Sequence, residues 1–515
     1  MKESTVVEAV GATTCRPRNL SAMLRHSVKR SPYKPAVICG DQVVSFEALD
    51  RSASALARWL LHQGLQIGDR VAIHWCNSVE VATFYFACFR AGLIAVPVNN
   101  RLKAPEIAYI LRHSKARLCF SQPELASLAE GAHSDSPDLQ HVYSALPLLE
   151  GPDLANVALP EVTSDHIAVI LYTSGTTSRP KGAVHTHSSL IAETELMSSL
   201  GLDESDTLLP AAQMMHILAL CVLLTGVANG ATMVFLPTFD AAQCLDSIER
   251  WRCSCLMILP AMLRFVVEEQ IRTPRDVSAL RICLAGGDTV PGDLQERFRT
   301  VFGFGVREFF AMTEAGPIAW IREGIPRDGS VGPAVDGVDA RVVDLAGNVL
   351  GDGQVGELQV KSPANCLGYW DDPKSTAAAI NDGWLRSGDL VRRDADGFFW
   401  FEGRLKEIIV RGGSNISPQE VEEALYQHPA VLEAGVIGAP DPVHGERVIG
   451  FVALRDGLAA GEEELRNFVR LRIADYKVPE RIVFLPALPK GVTGKVQRGT
   501  LKDLTMRTPE MEKYP

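Results

Sequence analysis

No stretch of this 515-residue chain is basic enough to follow a nucleic-acid backbone. Its 51 lysines and arginines face 62 aspartates and glutamates, for a net charge of −11. Nucleic-acid binders need a basic face to displace counterions, so that class is excluded. An uninterrupted apolar run is missing too. The longest candidate, 217–236, is broken by Thr225, Gly226, Asn229, Gly230 and Thr232. It reads as a buried helix over 217–228 and a strand over 231–236, since a bilayer span asks for about 20 apolar residues. Residues 1–17 carry early charges and no apolar core, so no secretory signal is read there. The eleven cysteines form no framework, and the C-x-C of Cys253 and Cys255 has no second pair or nearby histidine. The expectation is reduced, buried thiols in a cytoplasmic protein, without zinc. Disorder is excluded by composition, 46% hydrophobic and 22% charged. No repeat period marks a solenoid.

What is present is alternation. A hairpin is expected at 36–39 and 43–45. Helices are expected at 46–64, 79–92 and 103–114, with strands at 70–75 and 93–98. The pattern resumes with strands at 167–172, 231–236, 255–259, 280–285 and 306–311. Between them lie helices at 188–200, 241–251, 261–269 and 291–302. Strand alternating with helix predicts parallel sheets covered on both faces. Past 331 the texture turns β-rich, with short strands at 339–344, 356–361 and 398–401. The charged segment Arg404-Leu405-Lys406 then leads into an α+β unit with helices at 418–426 and 462–474. The fold class is therefore α/β: a large N-terminal body of two similar α/β halves plus a small β-rich unit, followed by a small mobile α+β C-terminal domain. The expected boundary gives units 1–403 and 404–515.

The strongest local feature is Tyr172-Thr173-Ser174-Gly175-Thr176-Thr177-Ser178-Arg179-Pro180-Lys181-Gly182. It follows a predicted strand. Such a loop surrounds an anion with hydroxyls and backbone N–H groups, and Lys181 adds positive charge. It is not the nucleotide P-loop, because six residues separate Gly175 from Gly182 and Ala183-Val184 follow. His185 and His187 form an H-x-H, but no acidic or cysteine partner lies nearby, so no metal is expected there.

This loop resembles the phosphate-binding loop of the acyl-adenylate-forming superfamily of acyl- and aryl-CoA ligases, luciferases and peptide-synthetase adenylation domains. Ser178 stands where a glycine is usual. Further motifs follow in order. Phe310-Ala311-Met312-Thr313-Glu314 is similar to the family's Tyr-Gly-x-Thr-Glu, with Ala311 replacing glycine. Ala285-Gly286-Gly287-Asp288 resembles the adenine and acyl-pocket segment, and Ser387-Gly388-Asp389 the ribose-binding segment. Gly403-Arg404-Leu405-Lys406 resembles the domain hinge. Gly412-Gly413 matches the loop beyond it, and Thr493-Gly494-Lys495 the C-terminal lysine motif, with Gly491 where threonine is common.

The resemblance implies roles. Thr173, Ser174, Gly175, Thr176, Thr177 and Lys181 would hold phosphates. Gly286, Gly287, Phe310, Ala311 and Met312 would surround the adenine, Asp389 would take the ribose hydroxyls, and Arg404 the ribose or phosphate. Thr313, Glu314 and Lys495 would be catalytic, with Glu314 also holding Mg²⁺. His216, Ala285 and Gly316 would line the acyl pocket, Lys406 would be the pivot, and Gly412 and Gly413 would line the CoA path. The implied activity is an ATP-dependent, AMP-forming acid–thiol ligase with ATP, a carboxylic acid and CoA as substrates. The residues expected around the acid (216–221, 285–287 and 316–318) are small or apolar, which points to a hydrophobic fatty or aromatic monocarboxylate. Transfer of the acyl group to an amine or to a carrier-protein thiol is the alternative. A non-catalytic AMP sensor is disfavoured by Lys181, Glu314, Asp389 and Lys495 occurring together. A membrane-surface acyltransferase is disfavoured by the lack of a basic amphipathic helix. Homodimer formation stays open.

Overall fold

In a computed structural model the described residues are 16–147, 152–173, 180–287, 290–322, 327, 329–411, 414–491 and 495–507. Two sheets form the large body. The first orders its strands His141–Tyr143, Ala116–Ser121, Arg70–His74, Ile94–Val98, Ile167–Thr173 and Lys181–Thr186. All neighbours are parallel except the last pair. The second runs Gly316–Trp320, Arg307–Met312, Ile282–Gly286, Cys255–Ile258, Thr207–Pro210, Thr232–Phe235, Pro35–Cys39 and Gln42–Ser45. It is parallel except at its two edges, where hairpins turn back.

Local sequence explains the elements. The helix Phe46–His62 starts where the Ser45 side chain accepts from the Ala48 N–H at 3.2 Å. It buries Leu49, Ala53, Leu56, Ala57 and Leu60, which recur at helical spacing. The apolar run resolves into the helix Ile217–Asn229, ended by Gly230 at φ 72°, and the strand Thr232–Phe235. Among the described residues no helix is long and apolar enough to cross a membrane. The described cysteines are free, and all are buried except the half-buried Cys76.

A third, antiparallel sheet orders Ser330–Pro333, Phe398–Arg404, Trp384–Arg393, Val355–Lys361 and Asp339–Val343. A fourth belongs to the C-terminal unit. There Val431–Asp441 and Gly445–Leu454 pair antiparallel, and the helices Pro418–Tyr426 and Glu462–Arg470 bury Val421, Leu425, Leu465 and Val469 in the same core.

The strands Ala116–Ser121, His141–Tyr143 and Thr207–Pro210 were not foreseen, and two edge strands beside the motifs also depart from the sequence expectation. Lys181–Thr186 is a strand where a polar loop was expected, and Gly316–Trp320 follows Thr313-Glu314 with no strand foreseen. Both are short and contain glycine, proline or histidine, so intrinsic propensity is weak. Antiparallel pairing to a buried neighbour defines them instead.

Candidate active site

The two edge hairpins build the site. In the first sheet Thr173 stands opposite Lys181, and the Thr173 Oγ1 lies 3.5 Å from the Lys181 carbonyl oxygen. The intervening Ser174, Gly175, Thr176 and Thr177 lie outside the described residues. In the second sheet Met312 stands opposite Gly316, so Thr313, Glu314 and Ala315 form the tight turn at the hairpin tip. The second tip extends the carboxyl end of a parallel strand and Thr173 ends another, and it is at such ends that open α/β sheets bind ligands.

His185 joins the hairpins. Its Nε2 lies 2.7 Å from the Thr313 carbonyl oxygen, and its Nδ1 is 3.3 Å from Ser189 Oγ. Burial pushes its pKa down to about 4, against the opposing Thr313 bond, so the ring is neutral and Nε2–H donates. His187 is also buried, and its Nδ1 accepts from the Leu20 N–H at 3.2 Å. Both histidines of the H-x-H are thus committed to the fold.

A segment not singled out in the sequence completes this corner. Residues 367–370 bond along the strand Lys181–Thr186, through Val184 N–H to the Gly368 oxygen and Trp370 N–H to the Gly182 oxygen. The Cys366 N–H donates to the Glu314 carbonyl oxygen at 2.7 Å. Tyr369 donates its hydroxyl to Glu314 Oε1 at 3.0 Å, while the Lys181 ammonium sits 4.9 Å from its ring centre. Burial and the adjacent Glu314 push the Tyr369 pKa up, so the phenol stays a donor. Gly368-Tyr369-Trp370 ahead of the Asp372-capped helix Pro373–Ala379 was the available signal.

Ala285 is buried in the strand Ile282–Gly286, and a Cβ on Gly286 would fall onto the Phe309 carbonyl oxygen of the neighbouring strand. Gly287 follows at φ +84°. Ala311 stands opposite Pro317 in the edge hairpin. Phe310 is half-buried, its ring centre 6.0 Å from that of Phe401. Asp389 is buried and pairs with Arg404 Nε at 3.2 Å. Burial raises its pKa to about 6, while Arg404 and then Lys495 pull it back. Lys495 also acts on His216, whose pKa burial and then this lysine drive down to about 4. The His216 side chain is exposed, and its Nδ1 caps the helix Ile217–Asn229 by accepting from the Leu218 N–H at 3.3 Å. The C-terminal lysine is therefore close enough to act electrostatically on both Asp389 and His216. Lys406 is exposed in the turn after the strand Phe398–Arg404, and Gly412 and Gly413 lie outside the described residues.

Glu193 was missed altogether. It is buried, and a Cβ on Gly316 would lie 3.1 Å from its Cγ. The sequence expectation of a pocket without charge left it out because it sits on the helix His187–Ser198, outside the motifs.

Among the described residues no three His, Cys, Asp or Glu side chains converge on one point. A resident metal cage is absent there. The donor set of a single carboxylate, Glu314, suits Mg²⁺, which keeps several waters and takes most ligands from substrate phosphates.

Residues 24–370 match the AMP-binding enzyme family, and residues 420–495 match the AMP-binding enzyme C-terminal domain. The chain belongs to the AMP-binding enzyme family. The feruloyl-CoA synthase of Amycolatopsis sp is 34% identical over 95% of this chain and 99% of its own. The sulfoacetate–CoA ligase of Cupriavidus necator is 32% identical over 93% and 96%. Among solved structures, the anthranilate CoA ligase AuaEII in complex with anthranoyl-AMP superposes with a TM-score of 0.89, at 28% identity over 95% of this chain and 97% of that one. The edge hairpins thus belong to an AMP-binding enzyme along nearly its whole length.

Proposed function

We infer that this AMP-binding enzyme is an ATP-dependent acyl-CoA ligase acting on a hydrophobic monocarboxylic acid, fatty or aromatic. The observation that carries the reading is the electrostatic reach of Lys495, from the C-terminal unit, onto both Asp389 and His216 of the large body. Relatives named as CoA ligases, aligned over nearly their whole length, support the thiol as acceptor.

The acid's carboxylate attacks the ATP α-phosphate, and pyrophosphate leaves. The CoA thiol then attacks the acyl carbon, and AMP leaves. The first nucleophile is already ionised, so the protein's task is to neutralise charge at phosphorus. Lys495 and Lys181 supply cations for this. Thr173 and the hydroxyl-rich segment after it would supply donors, and Thr313 would touch the phosphate. Glu314 would hold Mg²⁺, which offsets phosphate charge when bound. Asp389 accepts from the ribose hydroxyls, a task for an acceptor-only group, and Phe310 offers an aromatic face to adenine. His185 and Tyr369 hold Thr313 and Glu314 in position. Rotation of 404–515 about Lys406 would then withdraw Lys495 and bring in Gly412 and Gly413 for the thiol step. Reduced, buried cysteines favour a cytoplasmic setting.

The test is a carboxylic-acid panel with ATP and Mg²⁺, scored for pyrophosphate with and without CoA, and for product mass with CoA or with amines. A thioester product is expected. Amide products, or no pyrophosphate from any acid, would overturn the reading.

A further inference from the structure

The helix Ala104–Ser114 carries no motif residue, yet three groups near its C-terminal end reach the elements that present Lys181 and Glu314. The Tyr109 hydroxyl donates to the Pro180 carbonyl oxygen at 3.1 Å, one residue before Lys181. His113 Nδ1 lies 2.8 Å from the Tyr172 hydroxyl, one residue before Thr173. The His113 carbonyl oxygen accepts from Trp370 Nε1 at 3.2 Å, one residue after Tyr369. The Tyr109 and His113 rings stack with centres 5.3 Å apart, and both meet the Tyr172 ring edge-on, at 6.5 and 5.8 Å.

These contacts close two short paths that start at one residue. From His113 through Tyr172 the first runs to Thr173, which stands opposite Lys181. From His113 through Trp370 the second runs to Tyr369, whose hydroxyl donates to Glu314 Oε1 and whose ring centre lies 4.9 Å from the Lys181 ammonium. The joint between the paths has no slack. A Cβ on Gly182 would stand 2.6 Å from Ile170 Cγ2, 3.3 Å from Tyr172 Cζ and 3.5 Å from Trp370 Cβ. Burial lowers the His113 pKa against the pull of Asp371 and Asp372, and burial raises that of Tyr172, so the pair is uncharged at neutral pH. The neighbouring pair Lys115 and Asp371, 3.2 Å apart and exposed, adds little.

We propose that His113 is a positioning residue for the adenylation half-reaction: by tying the end of the strand Ile167–Thr173 to the segment 367–370, it fixes the separation of Lys181 from Glu314 and so the seat of the triphosphate. This rests on the acyl-CoA ligase reading above. The imidazole itself takes no chemical step; it acts through Tyr172 and Trp370. Lys181 and Glu314 serve one substrate from two hairpins, so their spacing governs how well both can act at once.

The experiment measures binding of α,β-methylene-ATP with Mg²⁺, and of AMP, by calorimetry, alongside KM and kcat for pyrophosphate release. His113→Ala is expected to weaken the triphosphate by about 5-fold, one hydrogen bond lost, and to leave AMP within about 2-fold of wild type. KM for ATP and the half-saturating Mg²⁺ concentration should rise with it, while KM for the acid and thioester formation from preformed acyl-AMP hold. His113→Asn keeps a polar atom near the place of Nδ1 and should recover most of the loss. Tyr172→Phe cuts the same tie from its other end by removing a single hydroxyl, and it should add little when combined with His113→Ala. Unchanged triphosphate affinity in Tyr172→Phe, or in a folded His113→Ala, overturns the proposal. Equal weakening of the triphosphate and AMP with a lower thermal midpoint also overturns it, because a purely structural role does that. Pyrophosphate from no acid in a wild type that still binds the triphosphate removes the ligase reading instead.

Discussion

Lys495 acts electrostatically on both His216, expected at the acid, and Asp389, expected at the ribose. Removing one donor to a transition-state oxyanion costs about 3–4 kcal/mol in comparable sites. Lys495→Ala is therefore expected to slow pyrophosphate exchange by about 10²-fold or more while the fold persists. Exchange within a few-fold of wild type would remove the lysine from the first half-reaction. Asp389 makes a different demand. Its folded pKa of about 6 lies above the ordinary aspartate value of 3.8, so between these values the folded state holds more protons than the unfolded one. Stability then falls as pH rises from about 4 to 6, and the cost, at most about 3 kcal/mol, persists above that window. Asp389→Asn should raise the thermal midpoint relative to wild type at pH 8, by less at pH 5, and not at pH 3.5, while weakening ATP use. A variant no more stable than wild type at pH 8 would show that Arg404 and Lys495 fully offset the burial.

At the scale of elements, most parallel strands were legible as short apolar runs flanked by amphipathic helix, as in Cys255–Ile258 between Ala241–Trp251 and Pro260–Arg272, whereas Ala116–Ser121, His141–Tyr143 and Thr207–Pro210 were not foreseen. The return strands Lys181–Thr186 and Gly316–Trp320 were not, since their residues signal turn or site rather than strand. Yet they aim the chemistry: one carries Lys181 and His185, and the other puts Gly316 against Glu193. Motif residues were legible one at a time, whereas Tyr369, His185 and Glu193 acquire meaning only through contacts 55, 128 and 123 residues away in the chain: with Glu314, Thr313 and Gly316 respectively. Strand spacing also sets a prediction. The strands Ile282–Gly286 and Arg307–Met312 approach so closely that Gly286 has no room for a methyl group before the Phe309 carbonyl. Gly286→Ala must push the second strand, and Phe310 with it, away from the first. Overpacking of this kind costs about 1–3 kcal/mol. A lower thermal midpoint and a raised KM for ATP are expected together; an unchanged KM would mean that the strand shift does not reach the nucleotide or that Phe310 does not face it.

At the scale of the whole molecule, the arrangement in which Lys495 acts on His216 and Asp389 is held partly by a polar contact between the units. Arg455, at the end of the C-terminal hairpin, lies 3.3 Å from Asp293 and 4.0 Å from Glu268 of the large body. All three side chains are partly exposed, so such pairs contribute up to about 1 kcal/mol, a few-fold in an equilibrium. That is strong enough to bias the docked arrangement and weak enough to be broken in each turnover. If the two half-reactions need different placements of 404–515, Arg455→Ala should slow adenylation by up to about 5-fold and leave thioester formation from preformed acyl-AMP unchanged or faster. Raising ionic strength should move the wild type in the same direction and the variant less, because screening removes what the substitution has already removed. Gly413→Leu, expected from the sequence to obstruct the pantetheine path, should give the complementary result: normal pyrophosphate release and little thioester. Equal slowing of both half-reactions in Arg455→Ala would mean that one fixed placement serves both steps, and the pivot at Lys406 would lose its purpose.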